Sequence, residues 1–368
     1  MKNYKFLLIV ALISVMLFNS NVKAEYKNGD SSNYIDFKDA NINKLIENGE
    51  IETAVKYILV NNTNADLKTT NSNEDFSNDS ELYSQIFESL YNVNKIIRKI
   101  DVDKSVNRVF EYDLNNKPIE RDELNKIVVL LLENIENFSE EELKNIQTYV
   151  SFYYEIIDEE LSRQILHSKS KTPYFTSAKV NYNGTVAANW ASANAFTEKY
   201  ASFPYFKNVL GHGGDCTNFA SITIRQGGVG MRESWYCQKL KTGMDTIYPG
   251  IDFSKYWSIG DPWMKVINFT GFWRSKKGVD SYTASVQDYL QDTYGALKKG
   301  MFWKGDVVIL SNYDVNSHQY IPKHAIIITS NDGKEFTYSA HTYSRRNEKL
   351  SNAFKSYDRF VLIRPRSI

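Results

Sequence analysis

Two cysteines and five histidines in 368 residues are few enough for each to be weighed as chemistry. Cys216 stands in the segment Gly213-Gly214-Asp215-Cys216-Thr217-Asn218-Phe219. Paired glycines permit a tight approach of the chain, Asp215 can cap, and the following residues read as a helix running towards Gly227-Gly228, with Cys216 in its first turn. Unpaired amides and the macrodipole at a helix start favour a thiolate, so this is where a cysteine nucleophile belongs. Against this stand the β-branched Ile222, Thr223 and Ile224, which weaken a helix, and the ordinary role of a single cysteine as a buried apolar residue.

The second group is a pair of histidines. His324 opens the apolar run Lys323-His324-Ala325-Ile326-Ile327-Ile328-Thr329, and His341 closes Phe336-Thr337-Tyr338-Ser339-Ala340-His341-Thr342. Asp332-Gly333 between them is a two-residue hairpin signal. That loop sets His324 directly opposite His341, with Cβ atoms roughly 4.5–5.5 Å apart on one face. Such a pair suits a base and the group that orients it, and a slip of one residue would undo it. Upstream, Trp303-Lys304-Gly305-Asp306 leads through a Gly-Asp turn into the buried strand 307–310.

One Cys and two His without a close ligand pair do not make a zinc site, so no metal and no cofactor is expected. Cys237 is expected to be a buried free thiol, because a disulfide would silence Cys216. His212 is placed at the cleft entrance or in a plain loop, and His167 and His318 at the surface. Trp235, Trp257, Trp263, Trp273 and Trp303 are expected mostly in the core or on the rim, some able to stack on sugar or line a peptide groove.

The elements that must hold these groups follow a helical N-terminal half. Helical spacing runs through residues 34–60, and residues 61–80 are polar and read as a loop. Apolar residues at helical spacing recur from Leu82 to Ile97 and over residues 124–135. Ser139 with Glu142 forms a capping box that opens a helix predicted to run to about residue 165. Paired acids such as Glu159-Glu160 read as a solvated helix face, and this half carries no metal, phosphate-loop or nucleophile motif. Residues 25–168 are thus an acidic helical accessory or pro-region domain, 169–177 a short basic linker, and 178–368 the domain with the chemistry.

Lys2 and Lys5, an apolar run over 6–18, and Val22-Lys23-Ala24 have the layout of a signal peptide over residues 1–24, cleaved after Ala24. The expectation is a secreted protein with no membrane span after cleavage. Its 44 Lys+Arg balance 44 Asp+Glu, which argues against a generally basic nucleic-acid binder. The balance hides a split: residues 25–170 hold 29 acids and 16 bases, whereas residues 171–368 hold 15 acids and 25 bases. The two halves are expected to attract each other, or the basic half to face an anionic partner such as a cell-wall polymer.

From Tyr182 to Phe219, then through Gly227-Gly228, Met231, Ser234-Trp235, Gly305-Asp306, His324-Ala325 and His341-Thr342, the order of motifs resembles the "Putative amidase domain" of secreted Gram-positive proteins. It is more distantly similar to the CHAP and NlpC-like cysteine amidohydrolases. The resemblance covers roughly residues 178–366, with one departure at Ile222, where the family commonly shows Gln after Ser. It implies an α+β fold: a papain-like domain with a Cys-bearing helix on an antiparallel sheet, preceded here by the all-α domain. It also implies Cys216 as nucleophile, His324 as base and His341 as the third polar residue, fixing the His324 tautomer. Amides at the helix start would stabilise the oxyanion, with Asp215 or a nearby loop residue contributing. The function so implied is hydrolysis of peptide amide bonds, with cell-wall peptidoglycan the favoured substrate. The alternatives are a non-catalytic binding or toxin-like module and an acyltransferase with the same Cys-His chemistry.

Overall fold

The computed structural model describes residues 120–168, 181–207, 214–291, 301–314, 319–331 and 335–365, with isolated helical positions between 86 and 100. The signal segment, the linker at 169–177, His212 and His318 lie outside the described residues.

In the helical segment, α1 (Arg121–Glu133) buries Leu124, Ile127, Val128 and Leu131, one stripe at helical spacing. Helix α2 (Glu140–Phe152) opens on the expected capping box: the Ser139 hydroxyl accepts the Glu142 amide, and the Glu142 carboxylate accepts the Ser139 amide. The helix expected to reach residue 165 stops at Phe152. Asp158 restarts it by accepting the amides of Glu160 and Leu161, opening α3 (Glu159–Leu166). An aspartate that can satisfy two orphan amides ends one helix and begins another.

The C-terminal part is α+β. Helix α4 (Gly184–Asn194) and the short β1 (Tyr205–Phe206) precede α5 (Gly214–Gln226), which carries Cys216. Ile222, Thr223 and Ile224 are fully buried in α5, so tertiary packing overrides their weak propensity. A two-stranded ribbon of β2 (Cys237–Lys239) and β4 (Trp257–Ile259) flanks it, and β3 (Thr246–Ile247) pairs with β1. Helices α6 (Asp261–Met264) and α7 (Val266–Arg274) then lead to β5 (Val279–Ser285) and α8 (Val286–Gln291). The main sheet is completed by β6 (Val307–Asp314), β7 (Gln319–Asn331), β8 (Phe336–Ala340), β9 (Arg345–Lys349) and, after α9 (Leu350–Ala353), β10 (Arg359–Pro365). Its six strands lie in the order β5-β10-β6-β7-β8-β9, all antiparallel.

Alternation along the strands gives the sheet two buried faces. Val307, Ile309, Ala325, Ile327 and Ile363 face the helices and join their core, while Val308, Leu310, Ile326, Ile328 and Phe360 face a second core with Phe336, Tyr338 and Phe354. The Gly-Asp turn enters β6 as expected. Gly305 has φ +85°, and a Cβ there would lie 2.5 Å from the backbone of Gly184, so only glycine lets α4 start against the sheet.

The hairpin register differs from the expectation. Ile327 lies opposite Ser339 and Ile328 opposite Tyr338, whereas Ser330 meets Thr337 and Asn331 meets Phe336. A bulge between Ile328 and Ser330, with a connection longer than two residues, shifts the pairing. Continued along the strands, this register sets Ala325, not His324, against His341.

Helix α2 docks on α7. Asn268 donates to Thr148 at 2.9 Å, and Glu155 accepts from both Arg274 and Arg359. Burial works to raise the Glu155 carboxyl, and the two guanidiniums overcome it, holding the group below its usual range. Acidic and basic parts of the chain thus meet through a shared carboxylate. One apolar cluster runs through Ile146, Tyr149 and Val150 into Phe269, Phe272 and Trp273. His167, expected at the surface, is half-buried here: its ring lies 4.7 Å from Phe272 and its Nε2 3.0 Å from the Ser275 hydroxyl. Burial, aided by the charge of Lys276, pushes its pKa down to about 3.

The tightest point of this contact is Gly271, where a Cβ would lie 2.5 Å from the Ser151 hydroxyl and 2.8 Å from its Cβ. Gly271→Ala is expected to cost about 1–3 kcal/mol, read as a lower urea midpoint, and an unchanged midpoint would contradict this packing.

Candidate functional site

The start of α5 is held by a buried carboxylate. Asp215 Oδ1 accepts the Phe206 amide at 3.0 Å and the Asn218 side-chain amide at 2.8 Å. Its Oδ2 accepts the Tyr200 hydroxyl at 2.5 Å and lies 2.8 Å from His341 Nδ1. The same carboxylate therefore ties α5 to the 200–206 segment and to the end of β8. A charge this deep is tolerable only when hydrogen bonds surround it. Tyr200, buried beside that negative charge, has its phenol pushed well above the ordinary range by burial first and by Asp215 second.

His341 is fully occupied by this cluster. Its Nε2 lies 2.9 Å from the Asn194 carbonyl at the end of α4, and its ring stacks on Phe219 at 4.4 Å. Its Nδ1 also lies 3.0 Å from the Tyr200 hydroxyl, so both ring nitrogens have their partners within this cluster. The expected role, fixing the tautomer of His324, is corrected: the ring nitrogens of His341 serve Asp215 and Asn194. The Asp215 carboxylate, accepting on both oxygens, is a structural hub.

Two further residues of α5 show the same economy. Asn218 also donates to the Pro204 carbonyl and accepts from Trp263, and Ser221 accepts from Trp235 while donating to the Trp263 carbonyl. Trp235, Trp257, Trp263 and Trp273 are core residues, while Trp303 is 51% exposed. Cys237 is buried and free, as expected.

Cys216 follows Asp215 and is 2% exposed. Its sulfur accepts from the Ala325 amide and lies 3.7 Å from the Thr217 hydroxyl, and its own backbone N–H donates to the Thr342 hydroxyl at 3.1 Å. Burial pushes the thiol above its ordinary pKa, more than the bonds from Ala325 and Thr217 lower it. The helix-start advantage expected for a thiolate is therefore outweighed by desolvation. Thr342 is exposed, with φ +77°, a left-handed conformation that a β-branched residue rarely adopts. Strain of this kind collects where function requires it, and here it places a hydroxyl over the amide next to the thiol.

His324 is the residue before Ala325. It lies directly opposite Leu310, and with Ile326 it leaves β7 on the side of the second core. The pairing with β6 skips Lys323 immediately before it, a bulge of the kind that re-aims side chains beside sites. Burial, then the Arg345 charge, lowers its pKa to about 4, so the ring is neutral. Its ring centroid lies 6.3 Å from that of Tyr343. Cys216, Asp215 and His341 are thus brought together, with His324 one residue along the strand from the amide on the sulfur.

This constellation lies inside a region with a recognisable relative. Residues 181–363 match the family model described as Putative amidase domain. No curated protein and no solved structure matches the chain. That match suggests a hydrolase acting on amides, and the matched residues include Cys216, His324, His341 and every partner named above. Tyr200, Asn194 and Thr342 escaped the sequence reading, because their contacts come from a helix end and a turn whose geometry no local pattern announces. Among the described residues no group of three His, Cys, Asp or Glu could hold a metal ion, and no helix is long and apolar enough to cross a membrane.

A neutral thiol with a raised pKa makes alkylation base-limited. Iodoacetamide labelling of Cys216, followed by peptide mass spectrometry, is expected to rise about tenfold per pH unit from pH 7 to 9. A plateau below pH 7 would reveal a preformed thiolate instead. Thr342→Val removes the acceptor while keeping the branched shape. It is expected to speed this labelling about fivefold, the worth of one hydrogen bond, while Thr342→Ser leaves it close to the parent rate.

Proposed function

We propose that this protein is a secreted cysteine-dependent amidase or peptidase, with cell-wall peptidoglycan as its favoured substrate. The observation that carries the reading is the placement of the Cys216 sulfur, in the first turn of α5, against the amide that follows His324. Secretion rests on the N-terminal sequence pattern, and the wall substrate on the basic charge of residues 171–368.

In the proposed reaction the neutral His324 imidazole takes the Cys216 proton as the sulfur bonds to the amide carbonyl carbon. The resting site favours this transfer over a standing thiolate–imidazolium pair, because burial disfavours both charges. The carbonyl electrons move to oxygen, where amides at the α5 start are the available donors. For Cys216 N–H to serve, Thr342 must release it, so substrate entry and movement of the 341–344 turn go together. For the imidazole to reach the thiol it would have to be turned at the bulge where the pairing of β7 with β6 skips Lys323. Collapse of the tetrahedral intermediate breaks the C–N bond, and the imidazolium proton leaves with the amine. Water, deprotonated by His324, then attacks the thioester, releasing a carboxylic acid and the thiol. His341 acts in this scheme as a positioning residue through Asp215.

Cys216→Ala is expected to abolish release of amine groups from purified wall or wall peptides while shifting thermal unfolding by only a few degrees. Unchanged release would instead favour a binding module. Release of amine coupled to formation of a new amide on an added amine would mark an acyltransferase.

A further inference from the structure

Trp303 stands half in solvent, whereas Trp235, Trp257, Trp263 and Trp273 are core residues. It lines an open groove of about 640 Å³ between the start of α4 and the entry to β6, with Asn181, Tyr182, Thr185, Lys304 and Arg364 also on the walls. A volume of this order suits a small ligand or one unit of a longer one. The groove is not part of the reacting site. Helix α4 has 11 residues, and at about 1.5 Å per residue it is about 16 Å long. Thr185 at its start lines the groove, while Asn194 at its end holds His341.

The indole is held in one orientation from behind. Asp306, buried beneath the groove, accepts the Trp303 backbone amide at 2.7 Å and takes the Arg364 guanidinium on both oxygens, at 2.7 and 2.5 Å. Arg364 also donates to the Met301 carbonyl and lies 4.3 Å from the centroid of the indole ring. A bidentate guanidinium is a planar, fixed support for an aromatic face. The Tyr182 hydroxyl, on the Gly305 carbonyl at 2.6 Å, steadies the same turn. One face of the ring is thus backed by Arg364, and its exposed part is presented to the groove.

The walls say what fits there. The Asp306 and Arg364 charges cancel within their pair, which leaves Lys304 as the other charged residue of the lining. Asn181 and Thr185 add an exposed amide and hydroxyl. A sugar ring offers a flat face of C–H bonds to an aromatic ring and a rim of hydroxyls to amides and hydroxyls. A purely apolar ligand would desolvate those wall groups without giving them partners.

We infer that the Trp303 groove is a saccharide-binding site, which seats a pyranose ring of an N-acetylated glycan strand on the indole. It is an anchoring site, separated from Cys216 by the length of α4. The choice of an N-acetylated glycan rests on the proposed wall substrate; the groove itself takes no part in the chemistry of the thiol.

The probe is the linear tetramer of N-acetylglucosamine, which contains no peptide bond, titrated calorimetrically into the full chain. Saturable binding is expected. Trp303→Ala is expected to weaken it about tenfold, the worth of one aromatic contact, Trp303→Tyr to keep most of it, and Tyr282→Ala, an exposed aromatic on β5, to leave it unchanged. Hydroxyl-radical footprinting of the unaltered protein needs no variant to fold: the tetramer is expected to protect the peptide containing Trp303 severalfold and to leave that containing Trp190 as it was. No saturable binding, binding unmoved by Trp303→Ala, or no protection of Trp303 would overturn the assignment. So would a proline-rich peptide that binds at Trp303 where the tetramer does not, which would make the groove a peptide site. Failure here is distinct from failure of the amidase reading, which shows as wall cleavage that survives Cys216→Ala.

Discussion

Everything at the candidate site depends on one buried negative charge. Asp215 sits where α5 begins, and its two oxygens collect a backbone amide, a side-chain amide, a phenol and an imidazole. Those four donors come from β1, from α5 itself, from the 200–206 segment and from the end of β8. Removing any one leaves a charge in the interior short of a partner, which is far more costly than an ordinary lost contact. The position of Cys216, the next residue, is therefore fixed from three directions.

Seen this way, His341 changes character. A histidine in an apolar setting can serve a neighbouring base, or it can neutralise a buried acid, but it has only two nitrogens. Here one faces Asp215 and the other the end of α4. The same turn then supplies Thr342 to the Cys216 amide, so the elements that build the site also cover it. The molecule rests with its thiol neutral, the His324 imidazole neutral and the Cys216 amide engaged by Thr342.

Much of this was legible in the sequence. Glycines ahead of Asp215-Cys216 announced a helix start, Ser139 and Glu142 a capping box, and Gly305-Asp306 the entry to a buried strand; each is a local pattern with a local cause. What was not legible depended on distance. The pairing of His324 with His341 required a two-residue loop, and a bulge between Ile328 and Ser330 moved the register. Asp158 broke a helix whose apolar spacing ran on regardless. His167 looked like a surface residue until the docking of α2 and α3 on α7 half-buried it. The polar partners of Asp215 could not be found from spacing, because Tyr200, Phe206 and His341 converge only once the sheet and helices have assembled.

The central claim is that the Cys216 sulfur forms the bond that replaces the substrate amide. The most direct measurement is to mix the protein with wall peptides, quench in acid at intervals and weigh the peptide that contains Cys216. A transient acyl adduct on that peptide, removed by hydroxylamine and kinetically competent with release of the amine, is the expected result. Full cleavage of the substrate with the Cys216 peptide unmodified at every time, and undiminished when Cys216 is blocked beforehand, would contradict it.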